Sequence, residues 1–159
     1  MKTPRAYRYR GRIWARQTRA SRLFGLLRFR PLQLEPLEER TLLSATAWDE
    51  VEPNDTLSTA TGLPLVEDPA GSGYWMGRGL GSIQPSSDND YWSFEALAGD
   101  VVSVSVDTPD SDLNPRVYLY DAAGNQLGYD DDAGPSYDAF ISHYAIASSG
   151  TYYARVLLS

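Results

Sequence analysis

Between residues 47 and 159 apolar and polar positions alternate in short runs broken by turn-forming residues. In the run 101–107, Val102, Val104 and Val106 share one side and Ser103 and Ser105 the other, the period of two of a strand buried on one face. Arg116-Val117-Tyr118-Leu119-Tyr120 alternates in the same way and leads into Asp121-Ala122-Ala123-Gly124-Asn125, a hairpin turn by composition. Tyr152, Ala154, Val156 and Leu158 line one side of the last run with Arg155 on the other, and the run 90–97 buries Trp92 and Phe94. The pattern predicts strands at 74–83, 90–97, 101–107, 115–121, 125–130, 138–147 and 150–158. No stretch holds a helical period with caps, so the prediction is an all-β fold, a β-sandwich or jelly roll.

Charge changes this picture by dividing the chain. Residues 1–46 carry Lys2 and ten arginines against Glu35, Glu38 and Glu39, a net +8; residues 47–159 carry Arg78, Arg116 and Arg155 against eighteen acids, a net −15. A basic N-terminal segment (1–46) therefore meets an acidic globular domain (47–159). The acidic domain argues against a nucleic-acid partner, since phosphate binding needs a cationic face, and it suits cations or solubility. The chain has no cysteine, so disulfides do not staple the domain. No apolar run approaches the ~20 residues of a membrane span, so no transmembrane anchor is predicted. In the basic segment the only apolar patch, 23–27, is shorter than a signal-peptide core of about 7–15 residues. Three readings stay open for it: a solvated, disordered tail, a targeting segment, or a nucleic-acid-binding arm.

Two acidic clusters carry the candidate chemistry. Asp49-Glu50-Val51-Glu52-Pro53-Asn54-Asp55 precedes the globular part, and Ser87-Asp88-Asn89-Asp90-Tyr91 opens a strand. Calcium takes six to eight oxygen ligands from carboxylates, amides and backbone carbonyls. Glu50, Glu52, Asn54 and Asp55 offer four such side chains, and extended backbone before Pro53 puts Glu50 and Glu52 on one side. Asp88 and Asp90 would complete the shell and fasten the N-terminal arm to the sandwich, so that binding adds to folding stability. The plainer alternative is that Asp, Asn and Pro simply form solvated turns. The same alternative applies to Asp130-Asp131-Asp132, a loop that would hold a second ion only if its crowded charges were ligands.

Catalysis is not expected. His143 is the only histidine, and alternation along a strand sends it and Ser142 to opposite faces. No Gly-x-Ser-x-Gly elbow is present, one histidine and no cysteine supply a catalytic zinc site poorly, and the acids gather in turns rather than about a sugar cleft. Outward-facing Tyr118, Tyr120 and Tyr153 are candidate ligand-binding residues for polysaccharide or fibrous protein, or else ordinary cross-strand pairs.

Over residues 48–158 the order and spacing of several short motifs resemble the bacterial pre-peptidase C-terminal domain. They are Glu50-x-Glu52-Pro53-Asn54-Asp55-Thr56, Gly81-Ser82-Ile83, Asp88-x-Asp90-Tyr91-Trp92-Ser93-Phe94, Gly99-Asp100, Leu113-Asn114-Pro115, and the closing Gly150-Thr151-Tyr152-Tyr153. The resemblance implies a jelly-roll-like antiparallel β-sandwich related to the collagen-binding domains of bacterial collagenases, where an E-x-E-x-N-D arm chelates calcium. Carried over, it implies a Ca²⁺ site at Glu50, Glu52, Asn54, Asp55, Asp90 and the backbone of Tyr91, with Asp88 beside them. Upstream, Leu34-Glu35-Pro36-Leu37-Glu38-Glu39-Arg40-Thr41-Leu42-Leu43-Ser44-Ala45 resembles the L-E-x-L-E-x-R-x-L-L-S-A segment of large exported proteins of planctomycete-type bacteria. The expected fold is thus an all-β sandwich with a disordered or loosely helical basic N-terminal tail. The expected function is that of a non-catalytic, calcium-stabilised accessory domain, secreted or at the cell surface. Its expected partners are a neighbouring peptidase domain, an extracellular protein or a polysaccharide. A targeting head and an appendage without a catalytic domain, stopping at the last expected strand, read as a truncated gene product or a fragment of something larger.

Overall fold

The computed structural model describes residues 7–16 and 46–159. Its strands, in chain order, are β1 Tyr7–Arg16, β2 Ala47–Asp49, β3 Thr61–Gly62, β4 Val66–Glu67, β5 Tyr74–Ile83, β6 Asn89–Ala96, β7 Val101–Asp107, β8 Pro115–Tyr120, β9 Gln126–Asp130, β10 Ala139–Ala145 and β11 Gly150–Leu158. One sheet has the order β10-β7-β1-β5-β2, with β4 also on β5; the other has the order β3-β6-β11-β8-β9. They form the expected sandwich, and the seven strands read from alternation fall within two residues of their places at each end. The sheets are mixed rather than wholly antiparallel, because the short β2 and β3 run parallel to β5 and β6.

Alternation decides what lies between the sheets. Val102, Val104 and Val106 of β7 and Val117 and Leu119 of β8 are buried, facing Trp92 and Phe94 of β6 and Ala154 and Val156 of β11 within one core. The inner side of β5 is a row of glycines, and the space they leave is filled by large side chains from elsewhere. A Cβ on Gly79 would stand 3.0 Å from the Trp92 ring, and one on Gly77 would stand 2.9 Å from both Leu63 and Leu65. A strand glycine marks such a close approach.

The main departure from the sequence reading lies in the basic segment. Residues 1–46 are expected outside the sandwich, yet Tyr7–Arg16 is an inner strand, antiparallel to β5 on one side and to β7 on the other. The physical reason is again a period of two. Tyr9, Ile13 and Ala15 are buried, while Arg8 and Arg10 point to solvent. Arginine at every second position supplies the polar face of a strand as well as serine does in β7. Residues 17–45, with the segment 34–45, lie outside the described residues.

Candidate metal centre

The arm from Thr46 to Thr61 is laid across the sandwich rim by backbone bonds. After β2 pairs with β5, the Glu50 amide donates to the Leu80 carbonyl at 3.0 Å, and the Val51 amide donates to the Thr61 hydroxyl. The Tyr91 amide then donates to the Asn54 carbonyl at 3.0 Å, tying the arm to the start of β6. These bonds bring the two acidic clusters together. Oxygens of Glu50, Glu52 and Asp90 lie within 4.8 Å of one another, and so do those of Glu52, Asp55 and Asp88. Two oxygens bound to one Ca²⁺ at about 2.3–2.6 Å can be no farther apart than roughly 5 Å, so each trio is compact enough to share an ion.

Burial makes the grouping costly as it stands. Asp90 occupies an inward position of β6 and is fully buried, and so is Asn54. Neither Asp90 oxygen makes a hydrogen bond of good geometry, although the Tyr9 hydroxyl and the Glu50 carboxyl stand beside it; both ends of the Asn54 amide and Glu50 Oε2 are likewise unpartnered. Buried carboxylates and amides without partners are rare and expensive. Burial, and then the charge of Glu50, push Asp90 up to about 9. Burial also raises Glu52, against the pull of the Asn54 amide that it accepts, and the carboxylates of Asp88 and Glu50 raise it further. A divalent cation would reverse both effects: it gives the orphaned oxygens a partner and cancels their repulsion. The donor set is all oxygen apart from the Asn54 amide nitrogen, which suits a hard cation such as Ca²⁺.

Each remaining site residue has a definite place. Asp88 is buried, with Oδ2 accepting from the Gln84 amide at 2.8 Å and Oδ1 from the Asn89 amide at 3.0 Å, so it holds its own loop as well as facing the cluster. Asp55 is exposed at the outer end. The Tyr91 amide is taken by Asn54, which leaves its carbonyl as the backbone ligand on offer, and its ring lies on the opposite side of β6 from Asp90. Three further residues shape the site. Glu50 Oε1 accepts from the amide and the hydroxyl of Ser82, at 2.8 and 3.0 Å. A Cβ on Gly81 would overlap the Tyr9 hydroxyl and stand 2.7 Å from Glu50 Oε2. Tyr9 accepts a 2.8 Å bond from the Trp92 indole, and burial together with the Asp90 charge raises its hydroxyl well above its usual range. A glycine inside the strand 74–83 is the one local signal for this cradle; nothing in the sequence links Tyr9 to it.

Other candidate residues fall elsewhere. Asp130 Oδ2 accepts from the amides of Ala133 and Phe140, and Asp131 lies 3.5 Å from Arg116, so this acidic run is engaged in turn and ion-pair contacts. Tyr118 and Tyr120 do face outward: Tyr91, Arg155, Tyr118 and Tyr129 stand in register across β6, β11, β8 and β9, with Tyr153 opposite Tyr120. Arg155 lies 5.7 Å from the Tyr91 ring and 5.6 Å from the Tyr118 ring, a cation–π sandwich. Ser142 and His143 require a correction. They do not diverge: the Ser142 hydroxyl lies 2.5 Å from His143 Nδ1, because β10 is bulged between Ile141 and Tyr144 and His143 has φ 54°. A bulge breaks the alternation on which the sequence argument rested. The pair is exposed, and the His143 amide donates to the Ser103 hydroxyl at 3.0 Å.

Residues 88–157 match the family model of the bacterial pre-peptidase C-terminal domain. That family is a non-catalytic accessory domain of peptidases. The pre-peptidase match contains Asp88 and Asp90, and it begins after the arm that carries Glu50, Glu52, Asn54 and Asp55. A search of curated proteins finds no match to the chain. Among the described residues no helix is long and apolar enough to cross a membrane.

Proposed function

We propose that this chain is an exported, non-catalytic accessory module in which Ca²⁺ fastens the N-terminal arm to the β-sandwich. Glu50, Glu52, Asn54 and Asp90 are the inner ligands, and Asp55, Asp88 and the Tyr91 carbonyl stand around them. The observation that carries this reading is the pair of buried carboxyls, Asp90 and Glu50, with unpartnered oxygens and gathered with Glu52 within 4.8 Å, beside the unpartnered Asn54 amide on the same arm. Secretion or surface display agrees with the resemblance of segment 34–45 to exported proteins and with a domain that has no cysteine and would use metal as its staple. A peptidase domain next to this one is the partner the family match favours.

The test is a thermal melt of the full chain in EGTA and in Ca²⁺. Extracellular calcium modules bind with Kd of about 10⁻⁴–10⁻³ M. At about a hundredfold excess over Kd, binding to the native state alone adds about 2.7 kcal/mol, a rise in midpoint of about 5–10 °C. Glu52→Ala and Asp90→Ala should each remove the shift. A wild-type midpoint that does not respond to Ca²⁺ refutes the site and leaves the fold as it is.

A second reading rests on the outward row of tyrosines. Tyr129 is 61% exposed beside Tyr118, with ring centroids 5.7 Å apart, and Tyr120 and Tyr153 extend the row. Such a surface suits polysaccharide or fibrous protein. Retention on either matrix, lost in Tyr118→Ala with Tyr120→Ala while the calcium response stays intact, would establish it.

A further inference from the structure

The cleft between β5 and β7 is built for a strand that is distant in sequence. Neither wall pairs with the other; each pairs with β1, β5 along the whole of Tyr7–Arg16 and β7 along Arg10–Arg16. Without β1 the sheet would be split, with two open ladders of backbone donors and acceptors facing one another. The cleft also selects its occupant. Inward, it takes Tyr9, Ile13 and Ala15 into the core, and the Tyr9 hydroxyl meets the Trp92 indole of the opposite sheet. Between Tyr9 and Ile13, Gly11 stands in register with Gly79, the residue whose Cβ would press on the Trp92 ring. Outward, Arg10 pairs with Asp110 at 3.0 Å and Arg12 with Asp107 at 3.7 Å, and the Ser111 hydroxyl donates to the Arg8 carbonyl at 2.8 Å.

The occupant differs from its host. It belongs to the net +8 segment and the host carries net −15; the family match covers the β7 wall but neither β1 nor β5. About 30 residues separate Arg16 from β2, a tether that can reach roughly 100 Å when extended. That reach lets the strand enter the cleft of its own chain or that of a neighbour. Insertion into the same chain is favoured in dilute solution by an effective concentration of order millimolar, and insertion into a neighbour wins where copies are more crowded than that.

We propose that the β5–β7 cleft is a strand-acceptor site for an extended peptide with alternating arginines, and that it takes Tyr7–Arg16 of a second copy of this chain when copies are crowded. This is strand addition driven by ladder hydrogen bonds, with the alternate side chains setting specificity. It does not rest on the calcium reading, although Tyr9 of the inserted strand also faces Asp90.

A protease site placed in the tether, between residues 17 and 45 of the full chain, tests it. After cleavage the N-terminal peptide should stay bound through gel filtration at one peptide per domain. A labelled synthetic peptide of residues 5–18 should exchange into the cleaved protein, whereas a scrambled peptide of equal charge and an Ile13→Asp peptide should not. Uncut protein at rising concentration should form dimers that cross-link β1 of one copy to β7 of another. Release of the peptide on cleavage, whether the remainder stays folded or aggregates, overturns the proposal. So does equal binding of the scrambled peptide, which would reduce the contact to charge attraction. Uncut chains that stay monomeric up to millimolar concentration overturn the exchange between copies.

Discussion

Asp90 stands where the pattern of β6 calls for an apolar side chain: it is the first inward position, followed by Trp92, Phe94 and Ala96. Tyr9, Glu50 and Asp88 face it, and without metal its carboxyl is raised from 3.8 to about 9. The consequence for stability has a definite sign. Between those two values the native state holds a proton that the unfolded chain has released, so metal-free stability falls as pH rises from about 4 to about 9 and levels off outside that window. Calcium must displace the same proton, so its affinity should rise through the same window. Asp90→Asn should flatten the slope in EGTA and abolish the calcium response at every pH. Urea midpoints across that range decide it, and a slope that survives Asp90→Asn would place its origin elsewhere. Gly81 offers a second test at this scale. Its Cβ would overlap the Tyr9 hydroxyl, which the Trp92 bond holds in place, and would press on Glu50. Gly81→Ala should therefore cost about 1–3 kcal/mol and weaken calcium binding. Gly62→Ala, with open space around its Cβ, serves as the control in the same titration.

Among the elements, β1 tests how arginine-rich strands are to be read. If Tyr7–Arg16 packs as described, Ile13→Ala removes a 2% exposed side chain and should cost about 2–5 kcal/mol in urea unfolding, as Ile83→Ala should on β5. A tail would lose nothing by the same change, so an unchanged midpoint removes β1 from the core. What made the other strands legible is that their polar face is serine, tyrosine or a single arginine, and turn residues bracket them. In β1 the polar face is almost entirely cationic and the sequence on either side, 1–6 and 17–22, holds no Gly, Asn or Asp, so composition hides a period of two that is fully present. The two- and three-residue β2, β3 and β4 are too short to show any period, and only their partners define them. The arm and Asp90 were legible as oxygen donors through spacing, whereas Tyr9 and Ser82 are brought to the site by pairing across the sheet. The bulge in β10 was invisible for a related reason: His143 takes its φ from register with β7, where Ser103 accepts its amide, and not from its own neighbours.

At the scale of the whole molecule the described basic strand runs through one sheet of the acidic sandwich, and Tyr9 near its start reaches the acidic rim. The rim that holds Glu50, Glu52, Asp55, Asp88 and Asp90 is roofed by Tyr9 of the basic strand, so arm, β5, β6 and β1 converge on a single point. Removing the cation from such a point should not loosen the molecule evenly. The residues that lose their partner lie at the rim, while Val102, Val104, Val106, Val117 and Leu119 lie deep between the sheets and touch none of the charges. Local opening with a free energy below that of global unfolding is the expected response. In hydrogen exchange, EGTA should therefore speed the amides of Val51, Asn54 and Tyr91, whose bonds hold the arm, by about tenfold for each 1.4 kcal/mol of lost binding. The amides of β7, β8 and β11 should keep their rates until the global midpoint is approached. With Asp90 protonated below about pH 9, the carboxylates of Glu50, Glu52, Asp55 and Asp88 are left to repel one another once the ion has gone, so added sodium chloride should partly restore the protection of the arm. Uniform acceleration across both sheets would mean that the site sustains the whole fold rather than one rim. Unchanged exchange at the arm would mean that its backbone bonds suffice, and that the buried oxygens of Asp90 and Asn54 bind no calcium.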